Sequence, residues 1–428
     1  MTVAIVGLGI AGMRAAMLLE AAGHDVLLFE ARDRLGGRMQ TIDFGDGTKF
    51  ESGGEWIDSD HERVFTLLHE LGIDSESSHG ERLYVVHGES CLESQLWNGA
   101  LEDQLRFEAS AGELARELRQ PAWANVEVPQ LDIATLSQFI DQNAHTPEGR
   151  WLLTATALSD EGDDPDQISL LGWLVFYQKY MQRQGGEMSS ARIAGGAAAL
   201  FEKMSANLRT ETRFEHELVR VTQNSDNVVL EFSNGSTALA DHAILTVPPR
   251  PLERVVFEPA LSAAVRCAIE GCLMAPILKI CLAFDRAWWT DKGWNGGMQC
   301  DLPIQQTWDA TRGETPVLAC YVCGRAARSL GLEPDAVERA LADLTQIHPE
   351  AKEHFLRGWV YDWSRDPYCE GGFSCVAPGY VLKHMGHIAR AEGRVHFAGE
   401  HTSAWTGFIE GALESAERAV QEVQGADQ

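Results

Sequence analysis

Positive charge is scarce in this chain. It carries 35 Lys and Arg against 63 Asp and Glu over 428 residues, a formal net charge of −28. No basic cluster is dense enough to displace counterions from a nucleic acid, so such a partner is not expected. Long apolar runs are missing too: none reaches the roughly 20 residues of a membrane span, and the tail QEVQGADQ is polar. The first strand-like run begins at Val3, which reads as a chain without signal or transit peptide. Nine cysteines, an odd number scattered along the chain, fit a reducing cytoplasm better than a disulfide framework. Cys320-x-x-Cys323 lies in the apolar run VLACYVCG without a second pair, and reads as core. Internal repeats, low-complexity segments, hydrolase-type triads and metal-ligand spacings are all missing, so no metal is expected. What remains is ordinary globular composition, 45% apolar and 23% charged, at a length that allows two domains. The acidity serves solubility, or raises the local concentration of a cationic substrate.

The most informative stretch is the first. Val3–Val6 is a short apolar strand, and Gly7-x-Gly9-x-x-Gly12 turns it into a helix. Gly7 permits the turn, Gly9 lets backbone approach a pyrophosphate, and Gly12 lets helix and strand pack closely. The helix start at Ile10 and Ala11 offers unpaired N–H groups and a positive dipole end to phosphates. Asp25–Phe29 is a second strand, and Glu30 at its end can accept from ribose hydroxyls. Strand, helix, strand and acid in register mark a dinucleotide site. Ala31, Arg32, Gly36, Gly37 and Arg38 follow, adding donors and charge around the diphosphate.

With this ARDRLGGR segment, and with ILTVPP, WSRDPYCEGGFSCVAPG and VHFAGEHTSAWTGFIEGALESAERA further on, the sequence resembles the FAD-containing amine oxidase family over nearly its full length. That family includes monoamine and polyamine oxidases, L-amino acid oxidases and flavin histone demethylases. The resemblance implies an α/β fold (α+β overall): a Rossmann-type FAD domain from 1–82, 190–252 and 385–428, interleaved with a substrate domain from 83–189 and 253–384, helical over 92–184. It implies that Gly53, Gly54, Glu55 and Trp56 follow the flavin edge and that Val219 lies against the adenine. Gly399 and Glu400 would face the ribityl and phosphate part, with Gly407, Phe408 and Ile409 starting a helix aimed at the flavin. It further implies hydride transfer to flavin N5 from the carbon next to an amine, with oxygen as acceptor and hydrogen peroxide as product. An L-amino acid oxidase is the alternative; a desaturase-type flavoenzyme or a non-catalytic flavin module ranks lower. A homodimer is compatible with this reading.

Catalytic residues follow by the same resemblance. Lys279, on an apolar strand beside Ile277, Cys281 and Ala283, either snorkels to solvent or holds a water against flavin N5. Phe373 and Phe408 would flank the amine, with Trp56 and Trp363 completing the set. FAD is expected to be bound without a covalent bond, since Phe373 follows Gly371-Gly372 where a cysteine would be needed. An amine is expected over an amino acid, because Trp56 stands where an arginine would grip a carboxylate.

Periodicity adds further elements. Leu101, Leu105, Leu114 and Leu118 mark a helix, and Ile168–Met181 a helix apolar nearly all round and hence buried. Asp160–Asp166 (DEGDDPD) reads as a solvated loop or a cation funnel.

Overall fold

The computed structural model describes residues 1–77, 80–182, 188–331 and 334–426. Its first sheet is parallel, in the order Thr212–Arg213, Asp25–Phe29, Thr2–Val6, His242–Leu245, Val395–Phe397. Apolar residues without alternation signal strands covered on both faces, and Val3–Val6 and His242–Leu245 are buried throughout. Helices Ile10–Ala21 and Ile409–Ala426 bury Met13, Leu19, Leu413 and Ala416 on one face. A second sheet, Thr237–Ala240, Val228–Phe232, Leu218–Gln223 and Val256–Glu258, covers the other face, where Phe232 stacks on Phe29 at 4.4 Å. Because Val256–Glu258 pairs in parallel with Leu218–Gln223, this layer takes in residues past position 252.

A third sheet of seven strands runs Phe355–Asp362, Ile277–Phe284, Val317–Cys323, Gln306–Asp309, Met298–Cys300, Leu83–Val86, Glu89–Leu92. All eight residues of Ile277–Phe284 are buried, and helix Ala336–Ile347 packs on the same core through Ala340 and Leu344. Four longer helices, Asn98–Arg116, Leu136–Asn143, Pro147–Glu161 and Leu170–Gln182, stand beside this sheet. The expected end of the helical stretch, 183–184, lies outside the described residues. All nine cysteines are free, and Cys320 and Cys323 are buried. No helix among the described residues is long and apolar enough to cross a membrane.

The helix marked by Leu101, Leu105 and Leu114 is present, with another face inward than the leucines suggest, and two further expectations in this region are corrected. In Asn98–Arg116, Leu101 and Leu105 are exposed, and the buried face is Asp103, Phe107, Ala111 and Ala115. Asp103 sets that roll, accepting hydrogen bonds from Thr146 N, Thr146 Oγ1 and His145 N at 2.7–2.8 Å where helix Pro147–Glu161 begins. Leu170–Gln182 buries only Leu170, Leu171, Leu174 and Val175; its other face carries Trp173, Tyr177, Tyr180 and Met181 into a cavity wall. Its apolar character therefore serves both a core and a cleft. The acidic run 160–166 is not a solvated loop: Asp163 is buried against Arg328, while Asp160 stands in the cavity wall.

Candidate active site

One cavity of about 1610 Å³ runs from the glycine turn to the seven-stranded sheet. At the first end its wall includes Gly7, Gly9, Ile10, Ala11, Glu30, Ala31, Arg32, Gly36, Gly37 and Arg38. Gly7 has φ +91°, and helix Ile10–Ala21 begins at Gly9 without a side-chain cap, so its first N–H groups face the cavity unclaimed. Gly12 stays out of the wall and packs: a Cβ there would sit 2.0 Å from Gly7 O. Glu30 accepts from Leu8 N at 2.7 Å and Arg32 N at 2.9 Å, and burial pushes its carboxyl above the ordinary value. Arg32 forms a two-pronged pair with Asp366 (2.8 and 2.6 Å) and lies 4.9 Å over the Tyr368 ring. An uncapped helix end, a glycine approach, a carboxylate and two arginines around one elongated space fit a dinucleotide.

Glu400 ties three distant segments together. It accepts from Arg38 Nη1 at 2.6 Å, from Ser374 N and Oγ at 3.1 and 2.6 Å, and from Gly407 N at 2.7 Å. Burial raises its carboxyl, but Arg38 and these bonds outweigh that and hold it below the ordinary range. Gly399 lines the cavity beside it. Val219 does not: it is exposed, and Leu218 takes the wall instead. A bulge between Leu218 and Arg220 breaks the strand register at this point.

At the second end the wall contains Gly53, Gly54, Glu55, Trp56, Lys279, Trp363, Phe373, Gly407, Phe408 and Ile409. Lys279 is 3% exposed and does not snorkel; its Nζ donates to Glu55 Oε1 at 2.7 Å and to Gly53 O at 3.4 Å. Glu55, expected along the flavin edge, is the hub of a buried charge cluster. It also accepts from Trp308 Nε1 at 3.0 Å and faces Arg192 at 3.5 Å and Arg312 at 3.9 Å. Burial raises the Glu55 carboxyl, and Lys279, Arg192 and Arg312 together overcome it, leaving the value below the usual range. Trp363 Nε1 donates to Ser52 O at 2.9 Å, placing its ring edge against Gly53. Phe408 stacks on Phe176 (5.5 Å, 17°) and meets the His61 ring edgewise (5.1 Å, 71°). Asp58, Asp60 and His61 approach one another closely, and the group is knitted internally by Asp58 N donating to His61 Nδ1.

Sequence reasoning missed Arg192, Trp308, Phe176 and His61. Arg192 is the cross-strand neighbour of Trp56 and lies 5.1 Å over its ring. Its signal was its place just before Gly195-Gly196; Trp308 and Phe176 carry no local signal.

Residues 10–424 match the family described as flavin containing amine oxidoreductase. The chain belongs to that family. It is 27% identical to a flavin-containing amine oxidase of Oncorhynchus mykiss, over 98% of this chain and 85% of that one. It is 26% identical to an L-amino acid dehydrogenase of Synechocystis, over 98% of this chain and 94% of the relative. Among solved structures, cyclohexylamine oxidase from Brevibacterium oxydans superposes with TM-score 0.89 at 26% identity, covering 100% of this chain and 99% of that chain. A redesigned putrescine oxidase superposes with TM-score 0.90 at 21% identity, covering 99% of each chain; at that identity the likeness concerns the fold. This flavin amine oxidoreductase is an enzyme of a flavin-containing family, and its α/β fold with a parallel nucleotide-binding sheet is the one its sequence implies.

Proposed function

We propose that the enzyme oxidises a primary or secondary amine to an imine, with oxygen as acceptor and hydrogen peroxide as product. The observation that carries this is the continuity of the cavity: one space joins the uncapped helix end at Gly9 to Lys279, Phe373 and Phe408. FAD, when bound, supplies the hydride-accepting chemistry. Gly7, Gly9, Ile10 and Ala11 hold its diphosphate, Glu30 its ribose, and Arg32, Arg38 and Glu400 the surrounding charge. Trp56, Trp363, Phe373 and Phe408 exclude water and orient the amine in its neutral form, so that its α-carbon would be presented to the flavin. Lys279, kept in place by Glu55, holds a water at the end of the cavity. No covalent flavin link is proposed: Cys375 is fully buried, and Cys369 donates to Asp366 at 3.1 Å while burial pushes its thiol up to about 12. Nine free thiols support a cytoplasmic location.

A second reading, oxidation of an amino acid, is favoured by one observation. The absence of an arginine at Trp56 is offset by Arg192 in the same wall, although its Nη1 is engaged by Asp309 O at 2.8 Å. Peroxide release from paired substrates, each L-amino acid beside its decarboxylated amine, decides between the two. Faster turnover of amines supports the first reading, and turnover only of amino acids replaces it with the second. No peroxide or flavin bleaching with either set removes both.

A further inference from the structure

The acidic run after helix Pro147–Glu161 is consumed by a single neighbour. Asp163, 2% exposed, takes Arg328 Nη1 and Nη2 at 3.1 and 2.7 Å. Asp164 accepts from Arg325 N at 2.8 Å and pairs with its guanidinium at 3.0 Å, and Asp166 accepts from Arg325 Nη2 at 2.6 Å. Both arginines lie on the short helix Gly324–Leu330 that follows the sheet strand Val317–Cys323. Gly324 N adds a bond to Gly162 O at 3.3 Å. Three carboxylates, two guanidiniums and one backbone bond therefore dock the turn at 162–166 onto the end of that strand.

The turn begins at Gly162, in the left-handed region at φ +70°. A Cβ there would lie 2.6 Å from Phe373 Cζ and 2.7 Å from Ala275 Cβ. The same ring is approached nearer its base by Gly407, where a Cβ would come within 3.1 Å of Cδ2. Behind the ring, Ala275 N donates to Phe373 O at 2.7 Å. The ring is thus bounded by two glycine backbones, one fixed by Glu400 through Gly407 N and the other by the acidic run.

We propose that Asp163, Asp164 and Asp166, with Arg325 and Arg328, form a clasp whose task is to hold Gly162 against Phe373, making them positioning residues for the amine-binding wall. The inference rests on the reading of Phe373 as part of that wall. A ring released by even a fraction of an ångström loses its hold on the amine, and misplacement of about 1 Å costs on the order of 100-fold in rate.

Arg328→Ala is the central test, because Arg328 itself is half-exposed and stands outside the cavity wall. The limiting rate of flavin reduction by a saturating amine should fall about tenfold, with FAD content unchanged. Arg328→Lys should restore part of it. In a Phe373→Leu background the same change should cost less than about twofold, since the clasp then has no ring to hold. An independent readout uses the FAD-loaded enzyme with 3-fluorophenylalanine at 373. A single sharp ¹⁹F resonance should broaden or split in Arg328→Ala. Wild-type reduction in Arg328→Ala, an equal loss in both backgrounds, or an unchanged ¹⁹F line overturns the clasp. If no amine reduces the wild-type flavin, the proposed reaction fails while the fluorine experiment still decides the clasp.

Discussion

Replacing either partner of the Lys279–Glu55 pair should have unequal effects, and the order follows from the cluster. In Lys279→Met, Glu55 loses its 2.7 Å partner but keeps Trp308 Nε1 at 3.0 Å and the guanidiniums of Arg192 and Arg312 at 3.5 and 3.9 Å. Removing one partner of a buried pair costs about 3–5 kcal/mol when the other is stranded; here two donors, Trp308 and Arg192, and the further charge of Arg312 remain, so about 1–3 kcal/mol is expected. In Glu55→Gln the carboxylate shared by Lys279, Arg192 and Arg312 disappears, leaving Glu51 as the nearby carboxyl that still acts on Lys279 and Arg312. Lys279 Nζ then keeps Gly53 O at 3.4 Å and the Trp308 ring at 5.0 Å, close to two further cations. The full 3–5 kcal/mol, roughly, should be lost. Urea unfolding of the FAD-loaded protein, followed by flavin fluorescence, measures both. The pH dependence supplies a second check. Because the folded Glu55 carboxyl lies below its ordinary 4.5, its contribution is complete above that value and is lost as pH falls through the lower, folded one. The acid limb below about 4.5 should therefore be shallower in Glu55→Gln. The reasoning is refuted if Lys279→Met destabilises as much as Glu55→Gln. Kinetically, Lys279→Met should slow flavin reoxidation by oxygen with FAD retained; wild-type turnover would reduce Lys279 to a structural lysine.

Phe408→Ala should lower the rate of flavin reduction about tenfold or more while the loss of a half-buried ring costs less than about 3 kcal/mol of stability; unfolding, or an unchanged rate, counts against its role at the amine. His401 is buried, and burial lowers its imidazole from 6.5 to about 4. The unfolded chain therefore binds a proton that the folded one refuses, and about 2–3 kcal/mol should drain away as pH falls from 6.5 towards 4; His401→Gln should flatten that limb in pH-dependent denaturation curves. Acid precipitation should leave FAD in the supernatant, and a yellow pellet would show a covalent bond.

The cofactor end was legible because its chemistry is local. Gly7, Gly9, Gly12 and Glu30 lie within one strand–helix–strand unit, and the fold brings Gly7, Gly9 and Glu30 to one cavity wall. The substrate end is assembled from segments that meet only in the folded chain. Arg192 reaches Trp56 by antiparallel pairing, and Trp308 reaches Glu55 from another sheet; neither pairing has a period to read. Hydrophobicity misled where a polar residue held the inward position. Asp103 is buried because it closes the start of helix Pro147–Glu161, which turns Leu101 and Leu105 outward. Val219, placed against the adenine by resemblance alone, stands exposed at a bulge between Leu218 and Arg220, a local irregularity that a motif match does not carry.

The strand order of the parallel sheet has a consequence for synthesis. Thr2–Val6 is flanked by Asp25–Phe29, made at once, and by His242–Leu245, and the sheet is completed only by Val395–Phe397. At about 5–20 residues per second, the first strand waits on the order of tens of seconds for its second neighbour, and longer for Glu400 to reach Arg38. During that interval the glycine turn is formed while the far wall of its cavity has not been translated, and apolar strand faces stand uncovered. The nascent chain therefore cannot retain its cofactor until its last helix emerges. Slow, cool expression with abundant flavin should raise the yield of folded enzyme more than faster transcription does.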